Sequence, residues 1–171
     1  VYLDITTAML SATMDAQAAQ ASLFAPVDPA PKQYPCSGSV KRALKLLASA
    51  QKPLIIIGKG AAYAQAEVEL RTFVEKADIP VGCTLLGLST LPHGHRLRKG
   101  MLGMHGNLGP NVKTNECDLL IAVGMRFDDR VTGRLDAYAK QAKVIHLDID
   151  PAEINKNVHA DVAVLGDCKD T

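Results

Sequence analysis

Short apolar runs alternate along the chain with segments whose apolar residues recur every three or four positions, the patterns of buried strands and amphipathic helices. Pro53-Leu54-Ile55-Ile56-Ile57 and Asp118-Leu119-Leu120-Ile121-Ala122-Val123 are nearly unbroken apolar runs, ended by Gly58 and Gly124. Such runs suit strands buried on both faces. Ile79–Thr84 predicts a weaker strand, interrupted by Pro80 and Gly82. Lys143–Asp150 predicts a strong strand ending in acids, and Asp161–Leu165 a last one. Between them, Val40, Ala43, Leu44, Leu47 and Ala48 follow helical spacing behind a cap at Ser37 or Ser39. Gln65–Lys76 predicts a second helix, with Val68, Leu70, Phe73, Val74 and Ala77 on its apolar side. Shorter helices are expected over Asn111–Glu116 and Leu135–Gln141, and a helical turn opening at Pro151. From Leu85 to Gly106 the pattern dissolves into Gly, Pro, His and basic residues, a long loop of the kind that carries function.

Before the first strong run, Val1–Ile5 reads as a strand and Ser11–Ser22 as a helical turn or surface excursion. Pro26, Pro29, Pro31 and Pro35 then mark an extended linker. Residues 1–36 are therefore expected to be the end of a preceding domain with its linker, and residues 37–171 one compact domain. The absence of a starting Met and the close just after a strand fit a piece of a longer protein. Strand–helix alternation predicts a doubly wound, Rossmann-like parallel α/β sheet. Right-handed crossovers would gather the strand C-terminal ends, with Gly58-Lys59-Gly60, Thr84-Leu85, Arg126–Arg130 and Asp148–Asp150, on one edge.

Composition narrows the function classes. The 171 residues are 47% hydrophobic and 22% charged with a formal net charge of +1, so charge favours neither nucleic acid nor an anionic membrane. Cys36, Cys83, Cys117 and Cys168 are too widely spaced for a zinc or redox motif and read as small hydrophobes in a reducing compartment. No run approaches the roughly 20 apolar residues of a membrane span. The first residues lack the basic start of a signal peptide.

The candidate chemistry lies at strand ends. Met125-Arg126-Phe127-Asp128-Asp129-Arg130 places four charges in six residues directly after Gly124. A solvated loop of self-paired ions would look the same. Upstream stands a second unusual stretch, Met101-Leu102-Gly103-Met104-His105-Gly106, where glycines beside His105 permit close approach of a ring or backbone. Gly58-Lys59-Gly60 follows a strand as in a dinucleotide fingerprint but lacks the third glycine, Tyr63 standing there, and is equally a plain turn. Asp148-Ile149-Asp150 suits ribose or ribityl hydroxyls, or else caps the turn at Pro151. His93 and His95 lack a further metal ligand, and His146 and His159 read as structural. No nucleophile–base pairing is evident, which points to a binding domain with neither catalytic nor metal residues.

These stretches together resemble the middle domain of acetohydroxyacid synthase (acetolactate synthase), a thiamine-diphosphate enzyme. The likeness runs from Ser39 to Asp167 and rests on Met101–Gly106 and on Arg126–Gly133, with support from Lys52-Pro53, Thr84–Leu88, Asp118-Leu119-Leu120 and Asp148-Ile149-Asp150. It implies FAD lying extended over this domain in a mainly structural part. The lining residues would be Gly58, Gly60, Thr84, Leu85, Met104, His105, Arg126, Asp128, Arg130, Val131, Asp148 and Ile149. Asp129 and Arg130 would also look toward the entrance of the active site. Thiamine diphosphate and Mg would sit in the flanking domains of the same chain. The implied parent reaction joins 2-keto acids to acetolactate or acetohydroxybutyrate in branched-chain amino-acid biosynthesis, and this piece alone would be inactive. A homo-oligomer, a regulatory subunit, and a cytoplasmic or organelle-matrix location are further implications. One stretch departs: Ile57–Ala66, with the preceding Pro-Val-Asp-Pro-Ala-Pro, is more similar to oxalyl-CoA decarboxylase and 2-hydroxyacyl-CoA lyase, whose middle domain holds ADP or a CoA nucleotide. The charge cluster, absent from those relatives, favours FAD. A ligand-free interface domain is the remaining alternative.

Overall fold

In a computed structural model of the chain, residues 2–23 and 31–171 are described, and they divide into two compact units meeting at Pro31/Lys32. The N-terminal unit holds two short helices, α1 (Thr7–Leu10) and α2 (Ala16–Ser22), each capped by a side chain, Thr6 and Asp15. The strand expected over Val1–Ile5 is not formed at residues 2–5, and Val1 lies outside the described residues. A strand needs a hydrogen-bonded neighbour, and none of the described residues of this unit offers one. Pro26 and Pro29 of the expected linker also lie outside the described residues. Residues 32–36 belong to the second unit: the Asp167 amide donates to the Gln33 carbonyl at 2.9 Å, and the Lys32 ammonium pairs with Asp170 at 2.6 Å.

The second unit is built on six parallel strands: β1 (Pro53–Ile57), β2 (Val81–Cys83), β3 (Arg98–Met101), β4 (Leu119–Val123), β5 (Lys143–Asp148) and β6 (Val162–Leu165). Their spatial order is β3-β2-β1-β4-β5-β6. The register explains the unbroken apolar runs. Val81, Ile55, Ile121, Ile145 and Val162 form one row across five strands, and all belong to the same core cluster. The other face carries Leu54, Leu120 and Val144, then Ile56, Ala122 and His146, in matching rows. Alternate residues thus face two separate cores, and a polar residue on either face would be buried.

Helices α3 (Ser37–Ser49) and α5 (Glu67–Ala77) cover the first face, with the short α4 (Lys59–Tyr63) between β1 and α5. α6 (Leu108–Glu116) precedes β4, and α7 (Asp129–Thr132) follows it. Several local expectations differ from the result. The α3 N-cap is Cys36, without a side-chain bond, and Ser39 donates back to the Cys36 carbonyl at 2.7 Å. Leu46 and Ala50 join Val40, Ala43 and Leu47 on the buried side, leaving Leu44 and Ala48 exposed. On α5, Leu70, Phe73 and Val74 pack inward while Val68 and Ala77 stay exposed.

Two larger differences concern element type. β3 arises inside the expected loop: Arg-Lys-Gly-Met has no apolar run, and the strand exists because its backbone completes the edge beside β2. An edge strand with one neighbour needs no buried side-chain row. Conversely, Leu135–Gln141 forms turns instead of a helix. Ala139 adopts φ +44°, its amide donates to Asn115 Oδ1, and Gln141 Nε2 donates to the Cys117 carbonyl at 2.8 Å. These tertiary bonds replace the helical ladder.

Candidate functional site

The strand order reverses between β1 and β4, the switch point where open α/β sheets receive ligands at their C-terminal edge. At that point the structure is closed by backbone. The Gly58 amide donates to the Val123 carbonyl and the Gly60 amide to the Gly124 carbonyl, each at 2.9 Å. A Cβ on Gly58 would stand 2.2 Å from the Gly124 oxygen, and one on Gly60 would stand 2.7 Å from the Gly124 Cα. Both glycines therefore serve turn-to-turn packing, and their amides are spent on it. A phosphate cradle needs free amides aimed at the ligand.

The two unusual sequence stretches meet next to this closure. The Met104 amide donates to the Arg130 carbonyl at 2.8 Å, and the Arg130 guanidinium reaches the Met104 sulfur at 3.7 Å. Gly103 makes the approach possible, since a Cβ there would lie 2.5 Å from the Arg130 oxygen. Behind it, Asn111 on α6 accepts from the Gly103 amide at 2.8 Å and donates to its carbonyl at 3.0 Å. The loop after β3 is thereby fastened to both α6 and α7.

The charges divide by role. Asp128 caps α7 by accepting from the Val131 amide at 3.2 Å, and its other oxygen pairs with Arg126 Nε at 3.2 Å. This pair was the solvated-loop alternative, and it is present, but Arg126 is largely exposed. Arg130 has no carboxylate within ion-pair distance among the described residues. Asp148, only 8% exposed, accepts from the Asp150 amide at 2.9 Å, while Asp150 caps the turn at Pro151 through Ala152. The capping alternative thus holds for Asp150, and Asp148 remains at the strand tip.

Around these charges the same sheet edge carries apolar side chains left in solvent. Leu85 and Leu86 after β2, Met104 after β3 and Ile149 after β5 are 67%, 62%, 61% and 51% exposed. Thr84 is half-buried, its amide donating to the Ile57 carbonyl; Val131 is half-buried on α7, and His105 is exposed. All twelve positions singled out in the sequence thus fall at the C-terminal ends of β1 to β5 or in the segments that follow them. Gly58 and Gly60 are the two whose backbone is already committed.

Other groups are held out of chemistry. Burial pushes the Cys117 thiol up to about 11 and Cys168 up to about 12, and raises Cys83, so these remain protonated hydrophobes. Cys36 is exposed, and the Ser39 and Gly38 backbone amides near its sulfur favour the thiolate and lower its pKa. Among the described residues no group of three or more His, Cys, Asp or Glu is placed to hold a metal, and no helix is long and apolar enough to cross a membrane. An apolar groove of about 340 Å³ between α3 and α5 has Ile121, Val123 and Leu147 at its floor and the Lys169–Glu69 pair at its rim, and it lies on the sheet face away from the strand ends. Sequence reasoning missed Asn111 and Asn157, whose amide donates to the Phe127 carbonyl at 2.7 Å. Neither carries a periodic signal: Asn157 acts on a loop 30 residues away, and Asn111 reaches back across a turn to Gly103.

Six parallel strands in this order, with helices against the sheet and charged loops gathered on its C-terminal edge, define a doubly wound α/β domain. Residues 40–171 match the family described as thiamine pyrophosphate enzyme, central domain, and the chain belongs to that family. It is 50% identical over 139 residues to acetolactate synthase of Mycobacterium bovis, covering 81% of this chain and 22% of that protein. It is 53% identical over 133 residues to the acetolactate synthase large subunit of Parasynechococcus marenigrum, covering 78% and 22%. Against the acetolactate synthase isozyme 2 large subunit of Escherichia coli the identity is 52% over 128 residues, covering 75% and 23%. The chain thus spans less than a quarter of the length of these relatives.

Proposed function

We propose that this chain is the central domain of the large subunit of an acetolactate synthase and that its C-terminal sheet edge holds FAD. The observation that carries the FAD reading is the Met104–Arg130 junction. It unites the two most specific motifs into one ledge with an arginine that has no carboxylate partner among the described residues and a row of solvent-exposed apolar side chains. A flat, extended, doubly anionic cofactor suits that mixture: apolar side chains cover ring faces, and a guanidinium pairs bidentately with a pyrophosphate. Arg126 and Arg130 would hold the phosphates, Leu85, Met104, Val131 and Ile149 would meet the rings, and His105, Asp128 and Asp148 would take hydroxyls. Thr84 would line the ledge with its half-buried side chain. Gly58 and Gly60 would lie beneath the cofactor as packed turn, without a phosphate cradle.

In this reading FAD contributes mainly structure, and the residues of the ledge bind and orient it. Carboligation of 2-keto acids would belong to the flanking domains, which would bring thiamine diphosphate and Mg. Residues 1–36 would be the end of the preceding domain and its linker, the last five of them packed onto the central domain, and the parent would be a non-membrane homo-oligomer, in the cytoplasm or an organelle matrix, working with a regulatory subunit. The alternative, an ADP- or CoA-holding domain of a lyase, relied on the Gly58-Lys59-Gly60 turn. The engagement of both glycine amides there counts against it. The deciding experiment is the absorbance spectrum of the purified full-length protein, released by denaturation before and after reconstitution with FAD. Stoichiometric flavin is expected; its absence after reconstitution would refute the FAD ledge.

A further inference from the structure

His146 stands in the middle of the sheet, in the row Ile56–Ala122–His146, with no solvent exposure. Its neighbours in that row are aliphatic, and an imidazole there gives up hydration that an isoleucine would not have had. The bonds it makes explain where that cost is offset. Its Nε2 lies 2.8 Å from the Met125 carbonyl oxygen, which can only accept, so Nε2 carries the proton. Its ring meets the Phe127 ring edge-on, with centroids 5.0 Å apart and planes at 72°. The same Nε2 lies 3.7 Å from a carboxylate oxygen of Asp148, and Nδ1 is buried without a hydrogen-bond partner among the described residues.

Those two contacts fall on either side of one residue. Met125 and Phe127 are each 3% exposed and point into the core, while Arg126 between them faces solvent. Gly124 before them turns the chain at φ +57°, and Asn157 holds the Phe127 carbonyl after them. The peptide between Met125 and Arg126 is therefore set by a hydrogen bond from β5, and the next buried ring is set by the same imidazole. Asp128, which pairs with Arg126 and caps α7, follows directly.

We propose that His146 is a positioning residue: its Nε2–H on the Met125 carbonyl and its ring against Phe127 fix the direction in which Arg126 and Asp128 are presented at the sheet edge. This rests on the FAD ledge for its ligand but names a residue of the core that the ledge itself does not include. The physical alternative is that His146 merely fills space, in which case an apolar residue of similar size would serve as well or better, having no unpartnered nitrogen.

The test uses the full-length protein with His146→Gln, His146→Asn and His146→Met. Glutamine carries an amide at about the reach of Nε2, asparagine only at the reach of Nδ1, and methionine fills the volume without a donor. Two readouts are taken: the FAD dissociation constant by flavin fluorescence, and deuterium uptake of peptides covering residues 125–131 without ligand. The expected result is that Gln stays within about threefold of wild type in affinity and matches its uptake. Asn and Met are expected to bind at least tenfold more weakly and to exchange faster over 125–131. Wild-type affinity and uptake in Met, or equal losses in Gln and Asn, would overturn the proposal. Should Met fail to fold, the Gln–Asn pair decides. If wild type binds no FAD, the ledge reading fails, and the uptake series still tests whether His146 positions the segment.

Discussion

Replacing Gly124 by alanine should destabilise the domain for two separable reasons. Its φ of +57° costs an L-residue about 1–2 kcal/mol. Its Cβ would also stand 2.6 Å from the Ala61 nitrogen and 2.7 Å from the Gly60 Cα, backbone atoms that cannot rotate away. Overpacking of that kind costs about 1–3 kcal/mol, so the sum is about 2–5 kcal/mol. Other glycines isolate each part. Gly58 has φ −106° but a Cβ position 2.2 Å from the Gly124 oxygen, so Gly58→Ala measures contact alone. Gly133 has φ +57° and ψ −128° with nothing within 4 Å, a conformation outside the left-handed helical well, so Gly133→Ala measures backbone strain without contact, about 1–3 kcal/mol. Gly94 has neither feature and should change stability by less than about 0.5 kcal/mol. Because both added methyl groups would push the same two turns apart, the Gly58→Ala/Gly124→Ala double variant should cost less than the sum of the singles. Urea unfolding followed by circular dichroism measures the series. A Gly58→Ala variant as stable as wild type would refute the turn-to-turn packing, and with it the claim that the first-turn amides are unavailable to a ligand.

Asp118 accepts hydrogen bonds from the Gln51 and Lys52 amides at 2.6 and 2.9 Å, and these, against the opposing effect of partial burial, hold its carboxyl below the usual range. Its stabilisation is present above the unfolded carboxylate pKa of about 3.9 and is lost as pH falls through the lower folded value. Asp118→Asn should therefore cost about 1 kcal/mol near neutrality and less as pH falls below the unfolded carboxylate pKa, as read from urea midpoints; a deficit independent of pH would show that charge is irrelevant. Asn111→Ala removes both bonds to Gly103 and should cost about 1–2 kcal/mol in the same assay, with faster deuterium exchange at residues 103–106. Arg126→Ala should weaken FAD binding to the full-length protein by about 1.5–3 kcal/mol in a fluorescence titration, and an unchanged affinity would assign Arg126 to its pair with Asp128 alone. The 171-residue chain by itself, supplied with pyruvate, thiamine diphosphate, Mg²⁺ and FAD, should release no CO₂ above background.

Much of this architecture is written in local sequence. The runs at β1 and β4 are apolar throughout because each faces two cores, and that pattern alone implies a parallel sheet covered on both sides. The two motif stretches were visible because glycine next to methionine and histidine, and four charges after a buried strand, are costly unless something uses them. What the sequence could not supply was whatever depends on a distant backbone. β3 has no pattern of its own, since an edge strand is recruited by its neighbour. The segment 135–141 has helical composition, yet Asn115, Thr114 and Cys117 draw its polar groups into other bonds. Gly58 and Gly60 looked like room for a cofactor, but only the meeting of the β1 and β4 turns shows that Gly124 already occupies that room. His146 read as a structural histidine, and its sequence neighbours give no hint that it holds Met125 and Phe127, because strands adjacent in space are twenty residues apart along the chain.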